Sequence, residues 1–163
     1  MSPYISFAAG ARETFCKWIY PEKTYKHKEK NEVKTMKMKF YICPVCGQIM
    51  AVVKETGVPV VCCGVKMKEI IPGTADASFE KHVPSVKVND GVVTVNVGSQ
   101  DHPMTEDHYI EWVALKTRKG NQRKCLAPGA KPEVCFRICG DDEVEAVYAY
   151  CNVHGLWMTD DIT

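Results

Sequence analysis

The sequence contains no run approaching the roughly 18 uninterrupted apolar residues that cross a bilayer, and its apolar start, Tyr4 to Ala9, has no basic segment before it. Both absences predict a soluble cytoplasmic protein that is neither membrane-bound nor exported. A strong charge of one sign is also lacking. The formal net charge is +1, with nine Lys/Arg against four Asp/Glu over residues 1–40 and twelve against sixteen beyond, so the body of the chain is mildly acidic. An even cysteine count is missing too. Nine cysteines, one CxxC and one adjacent pair among them, do not suit a paired disulfide framework. They suit metal ligation in a reducing compartment. Internal repeats and a long helical period are absent.

What is present, 163 residues at 45% hydrophobic, suffices for one compact domain or for a small module beside an ordinary one. Residues 1–35 differ from the rest. One amphipathic turn (Phe15, Trp18, Ile19) is stopped by Pro21, and a Lys/Glu-rich run follows. This stretch is expected to be a weakly ordered N-terminal extension, with Met36 or Met38 as an alternative translation start. From Met36 the pattern is one of strands and turns. Val86 to Val97 alternates around Asn-Asp-Gly and predicts a hairpin. Further alternating runs lie at Tyr109 to Leu115, Val134 to Cys139 and Val144 to Tyr150, with a polar Lys/Arg/Gly loop after the first. The predicted class is all-β, a small four-cysteine module at 36–72 followed by an antiparallel, immunoglobulin-like β-sandwich at 73–163. The Pro72/Gly73 pair marks a hinge between them.

Cys43-Pro-Val-Cys46-Gly47 places two thiolates two residues apart, with a glycine that lets the backbone turn tightly while both sulfurs face one ion. Cys62-Cys63-Gly64 adds a second pair. Four thiolates specify a tetrahedral site for zinc or a single iron. A zinc ribbon could serve nucleic-acid binding, but Lys54, Lys66 and Lys68 are the module's few basic residues and no aromatic stripe accompanies them.

Four of the five histidines, His82, His102, His108 and His154, occupy settings that read as strand ends or turns, and Cys151 lies three residues before His154. A lone histidine takes the bland reading; this set together predicts a metal site. Four neutral imidazoles and one thiolate suit iron and leave one octahedral position open for a small molecule. Amide N–H groups of the 152–154 turn would tune the sulfur.

The series Glu80-Lys81-His82-Val83-Pro84, Gly98-Ser99-Gln100-Asp101-His102-Pro103-Met104, His108-Tyr109-Ile110-Glu111-Trp112 and Cys151-Asn152-Val153-His154 resembles the motifs of the desulfoferrodoxins, two-iron superoxide reductases. The resemblance runs from about Met36 to the C-terminus. It implies a desulforedoxin-like (rubredoxin-like) iron held by Cys43, Cys46, Cys62 and Cys63, and a catalytic iron held by His82, His102, His108 and His154 with Cys151 axial. It further implies one-electron reduction of superoxide to hydrogen peroxide opposite the sulfur. Lys81 would attract the anion and order a proton-delivering water, and Glu80 would close on oxidised iron. Rubredoxin or a similar donor would restore the ferrous state, in a homodimer with no nucleic-acid or membrane partner.

Rival readings are a non-catalytic iron electron carrier or redox sensor, and a zinc protein. Cys16, Cys125, Cys135 and Cys139 fit neither site and are expected to be buried small hydrophobes. His27 reads as solvated, and Trp112 and Trp157 as core or site-shielding residues.

Overall fold

The computed structural model describes residues 37–75 and 77–162. The expectations for residues 1–35, including Cys16 and His27, lie outside the described residues, as does Met36.

The four-cysteine module is a small antiparallel sheet in the order β2-β1-β5, formed by β1 (Phe40–Ile42), β2 (Ile49–Ala51) and β5 (Lys68–Glu69), with a two-residue ladder of β3 (Val61–Cys62) and β4 (Val65–Lys66) beside it. A single helical turn follows, α1 (Phe79–His82). The sandwich is built from β6 (Pro84–Asn89), β7 (Val92–Val97), β8 (Ile110–Thr117), β9 (Asn121–Cys125), β10 (Glu133–Arg137), β11 (Val144–Cys151) and β12 (Gly155–Thr159). Its two antiparallel sheets run β10-β7-β6 and β12-β11-β8-β9.

The predicted hairpin is β6–β7. Its register closes at Asn89↔Val92 around Asp90 and Gly91, both at positive φ (47° and 71°), the two-residue turn whose twist matches the flanking strands. Alternation then puts Val93, Val95 and Val97 inside, against Val113, Leu115, Val147 and Ala149 of the facing sheet. Burying each such side chain contributes about 1.5–3 kcal/mol.

The β8–β11 pair is apolar on both faces. Trp112, Ala114, Tyr148 and Tyr150 form a second cluster on the side away from the core, and Phe40 of β1 covers it. The Phe40 ring lies 5.0 Å from Trp112 and 5.6 Å from Tyr148, and the Met38 N–H donates to the Tyr148 hydroxyl at 3.1 Å. The module is therefore packed on the sandwich through aromatic contacts. The Pro72/Gly73 connector turns but is not a free hinge, because the Gly73 N–H donates to the Leu156 carbonyl at 2.8 Å.

Two other expectations change. The polar loop after β8 contains a strand, β9, with every residue exposed. It pairs with β8 from Trp112↔Cys125 to Lys116↔Asn121, and its polar side chains suit an edge that must not recruit other strands. Cys125, Cys135 and Cys139 are exposed, since β10 alternates with Val134 and Phe136 turned inward and Cys135 outward. Trp112 and Trp157 are buried as expected, at 6% and 1% exposure. Among the described residues, no helix is long and apolar enough to cross a membrane.

Candidate metal centres

The first centre is assembled by two knuckles. Cys43 follows β1, and the Gly47 N–H donates to the Cys43 carbonyl at 3.0 Å, closing the turn that brings Cys46 beside it. Cys62 ends β3, and Cys63 takes the left-handed conformation (φ 51°) in the turn to β4. The four sulfurs lie within 4.8 Å of one another, with Cys46 and Cys62 3.7 Å apart. Backbone amides of Cys46, then of Val45, bring the Cys43 thiol down to about 7, the range in which a thiolate forms readily. Neighbouring sulfurs, Cys43 foremost, push Cys62 up to about 12. Four converging sulfurs thus resist carrying charge together, and a cation among them relieves that repulsion.

The second centre draws on four separate stretches. Val83, held extended before Pro84, ends α1 directly after His82. His102 follows β7 across a tight turn, its N–H donating to Val97 at 3.2 Å. His108 stands in the loop before β8, where Thr105 and His108 exchange backbone bonds at 3.0 and 3.3 Å. Cys151 and His154 flank the β11–β12 turn, and the His154 N–H donates to the Cys151 sulfur at 3.4 Å.

These pieces form a ring. Centroids of consecutive imidazoles are 4.7 Å apart for His82–His102, 4.6 Å for His102–His108, 4.8 Å for His108–His154 and 4.7 Å for His154–His82. The diagonal His82–His108 is 6.2 Å, so the four rings stand near the corners of a square. One ligand atom from each of the five residues lies within 4.8 Å of the others. Cys151 is fully buried, His82 and His102 nearly so, and His108 and His154 are half-buried.

Hydrogen bonds assign the nitrogens. His82 Nδ1–H donates to the Ser78 carbonyl at 2.7 Å and His102 Nδ1–H to the Pro103 carbonyl at 2.6 Å, leaving each Nε2 as a lone pair. Nε2 of His102 and of His108 are buried with no hydrogen-bond partner. His154 turns Nδ1 to the same space, 3.7 Å from the Cys151 sulfur. Burial holds His82 and His108 below the usual imidazole value and brings His102 to about 4, so these three rings are neutral at pH 7. Burial pushes the Cys151 thiol up, opposed by the amides of His154 and Val153. Imidazoles that turn their nitrogens inward, those of His102 and His108 without a partner, beside a shielded sulfur are a donor set for a transition metal.

Trp157 walls one side. Its ring stacks on His82 at 4.8 Å and 26°, its Nε1–H donates to the His154 carbonyl at 3.2 Å, and Phe79 meets its face edge-on at 5.3 Å. Asn152 ties the Cys151 turn to the His108 loop, accepting from the Tyr109 N–H at 2.9 Å and donating to the Asp107 carbonyl at 3.0 Å. The stacking of Trp157 on His82 agrees with its reading as a core or site-shielding residue, whereas the bracing by Asn152 was not legible in sequence, although Asn152 lies inside the Cys151–His154 motif. Glu80 and Lys81 are exposed beside His82, and the Lys81 charge is felt at both His82 and His108.

Comparison with known proteins gives a consistent picture. Residues 35–70 match the family model described as desulfoferrodoxin, N-terminal domain, and residues 74–160 that described as desulfoferrodoxin. The chain is 44% identical over 126 residues to the desulfoferrodoxin of Syntrophotalea carbinolica, covering 76% of this chain and 97% of that protein. It is 44% identical over 122 residues to a desulfoferrodoxin homolog of Archaeoglobus fulgidus, covering 75% and 96%. The crystal structure of the superoxide reductase from Treponema pallidum superposes with a TM-score of 0.65 at 40% identity, covering 76% of this chain and 99% of that one.

Proposed function

The chain belongs to the desulfoferrodoxin family, and from that premise we propose that it is a superoxide reductase, converting superoxide, one electron and two protons to hydrogen peroxide. The observation that carries this reading is the square of inward-facing imidazole nitrogens closed by one buried thiol. His82, His102 and His108 through Nε2, His154 through Nδ1, and Cys151 through its sulfur hold one iron. Cys43, Cys46, Cys62 and Cys63 hold the other. Iron at the histidine site, when bound in the ferrous state, supplies the electron and an open position for a small anion.

The chain's own residues do the rest. The Ser78 and Pro103 carbonyls fix the tautomers of His82 and His102 and so keep their lone pairs inward. The amide of His154 moderates the charge on the Cys151 sulfur. Lys81 attracts the anion, holding a proton at Nζ for the product, and Glu80, next to it, closes over the site in the oxidised state. A single positive charge about 5 Å from superoxide contributes roughly 1–3 kcal/mol at effective dielectric constants between about 80 and 20. Trp157 excludes water from the His82 side.

Rubredoxin or a similar small carrier returns the electron, and the four-cysteine iron acts as an electron centre or stabilises its module. The exposed apolar residues of that module, among them Val53 (96%), Val58 (73%) and Val45 (66%), support pairing with a second copy. Five cysteines gathered as metal donors rather than as disulfide partners support a reducing, cytoplasmic setting. The test is anaerobic titration of the reduced two-iron protein with superoxide. Stoichiometric oxidation of the histidine site with peroxide release and no oxygen evolution is the expected result. Oxidation much slower than encounter would instead assign the protein to electron carriage or redox sensing.

A further inference from the structure

The motif Gly98-Ser99-Gln100-Asp101-His102 gives only its histidine to the iron site, and its first three residues have a use that the proposed function leaves open. β7 ends at Val97, and the chain then folds back over α1. The Gly98 N–H donates to the Val83 carbonyl at 3.1 Å and the Gln100 N–H to the Glu80 carbonyl at 3.0 Å. The Ser99 hydroxyl donates to that same Glu80 carbonyl at 3.2 Å, so both of its lone pairs are engaged. Gly98 sits at φ 87°, and a Cβ there would lie 2.7 Å from the Lys81 carbonyl oxygen, so glycine alone admits the approach. Asn96 braces the turn by donating to the Gly98 carbonyl at 2.9 Å and to Asp101 Oδ1 at 3.0 Å.

The segment being gripped cannot hold itself. α1 is four residues long, and its N-cap residue, Ser78, makes no side-chain capping bond. One helical turn has little intrinsic stability. Its backbone direction is therefore set by its neighbours, and the neighbour on the Glu80–Lys81 side is the 98–100 turn.

We propose that Ser99 is a positioning residue: with the Gln100 amide it latches the Glu80 carbonyl and thereby aims the exposed Lys81 side chain across the mouth of the histidine site. Lysine is a point charge on a flexible stem, and a loose backbone spreads that charge over positions too far from the anion to steer it. This inference rests on the reading that Lys81 attracts superoxide.

The experiment uses the full-length two-iron protein and its Ser99→Ala and Ser99→Thr variants. Ser99→Ala is expected to keep both irons and an unchanged visible spectrum, because no ligand is touched. Loss of one ordinary hydrogen bond should speed deuterium exchange at the Gln100 amide by about 3- to 10-fold. The second-order rate constant with superoxide should fall by a similar factor, and Ser99→Thr should restore both. In a Lys81→Ala background, Ser99→Ala should leave the rate unchanged, since the residue it acts through is gone. Native exchange in Ser99→Ala overturns the latch. A rate loss that persists without Lys81, or one accompanied by iron loss, overturns the positioning role. A wild-type rate for Lys81→Ala with faster exchange in Ser99→Ala supports the latch and overturns only the Lys81 role beneath it.

Discussion

His82 Nε2 lies 2.9 Å from His154 Nδ1, although the two residues are 72 positions apart. The other nitrogen of His82 is already committed as a donor to the Ser78 carbonyl, so its Nε2 is a lone pair directed at the His154 nitrogen. The half-buried His154 nitrogen meets that lone pair either with its own proton, as an N–H···N bond, or by sharing a cation with it. The unpartnered Nε2 atoms of His102 and His108 and the buried Cys151 sulfur, gathered with that pair so that all five donor atoms lie within 4.8 Å of one another, make the centre a metal site rather than a cluster of core histidines, and the following outcomes derive from it and from its surroundings.

Acid should destabilise the metal-free protein in a defined window. Histidines whose folded value is depressed contribute stability that is complete above their ordinary value near 6.5 and is lost as pH falls through the folded value, about 4 for His102. A shift of that size corresponds to about 3 kcal/mol. The melting temperature of the metal-free protein should therefore fall between pH 6.5 and 4. In metal-free His102→Gln the slope should be visibly shallower. Reloading iron, which competes with protons for the same nitrogens, should move the fall to lower pH.

Trp157 should hold the site in two separable ways. Trp157→Ala removes a fully buried ring and should cost about 3–5 kcal/mol in urea melts, with reduced iron retention at the histidine centre. Trp157→Phe keeps an aromatic face toward His82 but loses the bond to the His154 carbonyl, and should cost less. The visible spectrum at matched iron content reads the change at the ligands directly.

Lys81→Ala should retain both irons and slow superoxide capture by roughly 5- to 200-fold, from the 1–3 kcal/mol that one nearby charge contributes. The rate should also become less sensitive to salt. Lys81→Arg, which preserves the charge, should recover much of both. An unchanged rate constant in pulse radiolysis of Lys81→Ala would remove the residue from the mechanism.

Phe40→Ala should unfasten the module without emptying it. The ring touches Trp112 and Tyr148 rather than any cysteine ligand, so absorbance of the four-cysteine iron should persist. Loss of this buried ring should lower stability by about 3–5 kcal/mol. Proteolysis of the 71–77 connector, where Ile71 is already half exposed, should accelerate markedly.

Much of this protein was determined by local chemistry that the sequence displays. The CxxC and Cys-Cys pairs each bring two sulfurs together within a few residues, so the first centre needs little more than two turns. The β6–β7 hairpin follows from strict alternation around Asp90-Gly91. The five ligands of the second centre were legible as a motif series and as residues at turns. Their square arrangement was not, because it depends on β7, β8, β11 and α1 converging from distant parts of the chain.

Tertiary structure alone decided the remainder. β9 reads as a polar loop because an edge strand takes its order from pairing with β8 and not from burial. Cys135 and Cys139 have the composition of core residues, yet strand register and the turn beyond β10 leave them in solvent. The second apolar face of β8 and β11 has meaning only once Phe40 covers it. The grip of Ser99 and Gln100 on the Glu80 carbonyl joins backbone to residues nineteen and twenty positions away. No side-chain pattern encodes a carbonyl's partner; only the folded path of the chain brings the two together.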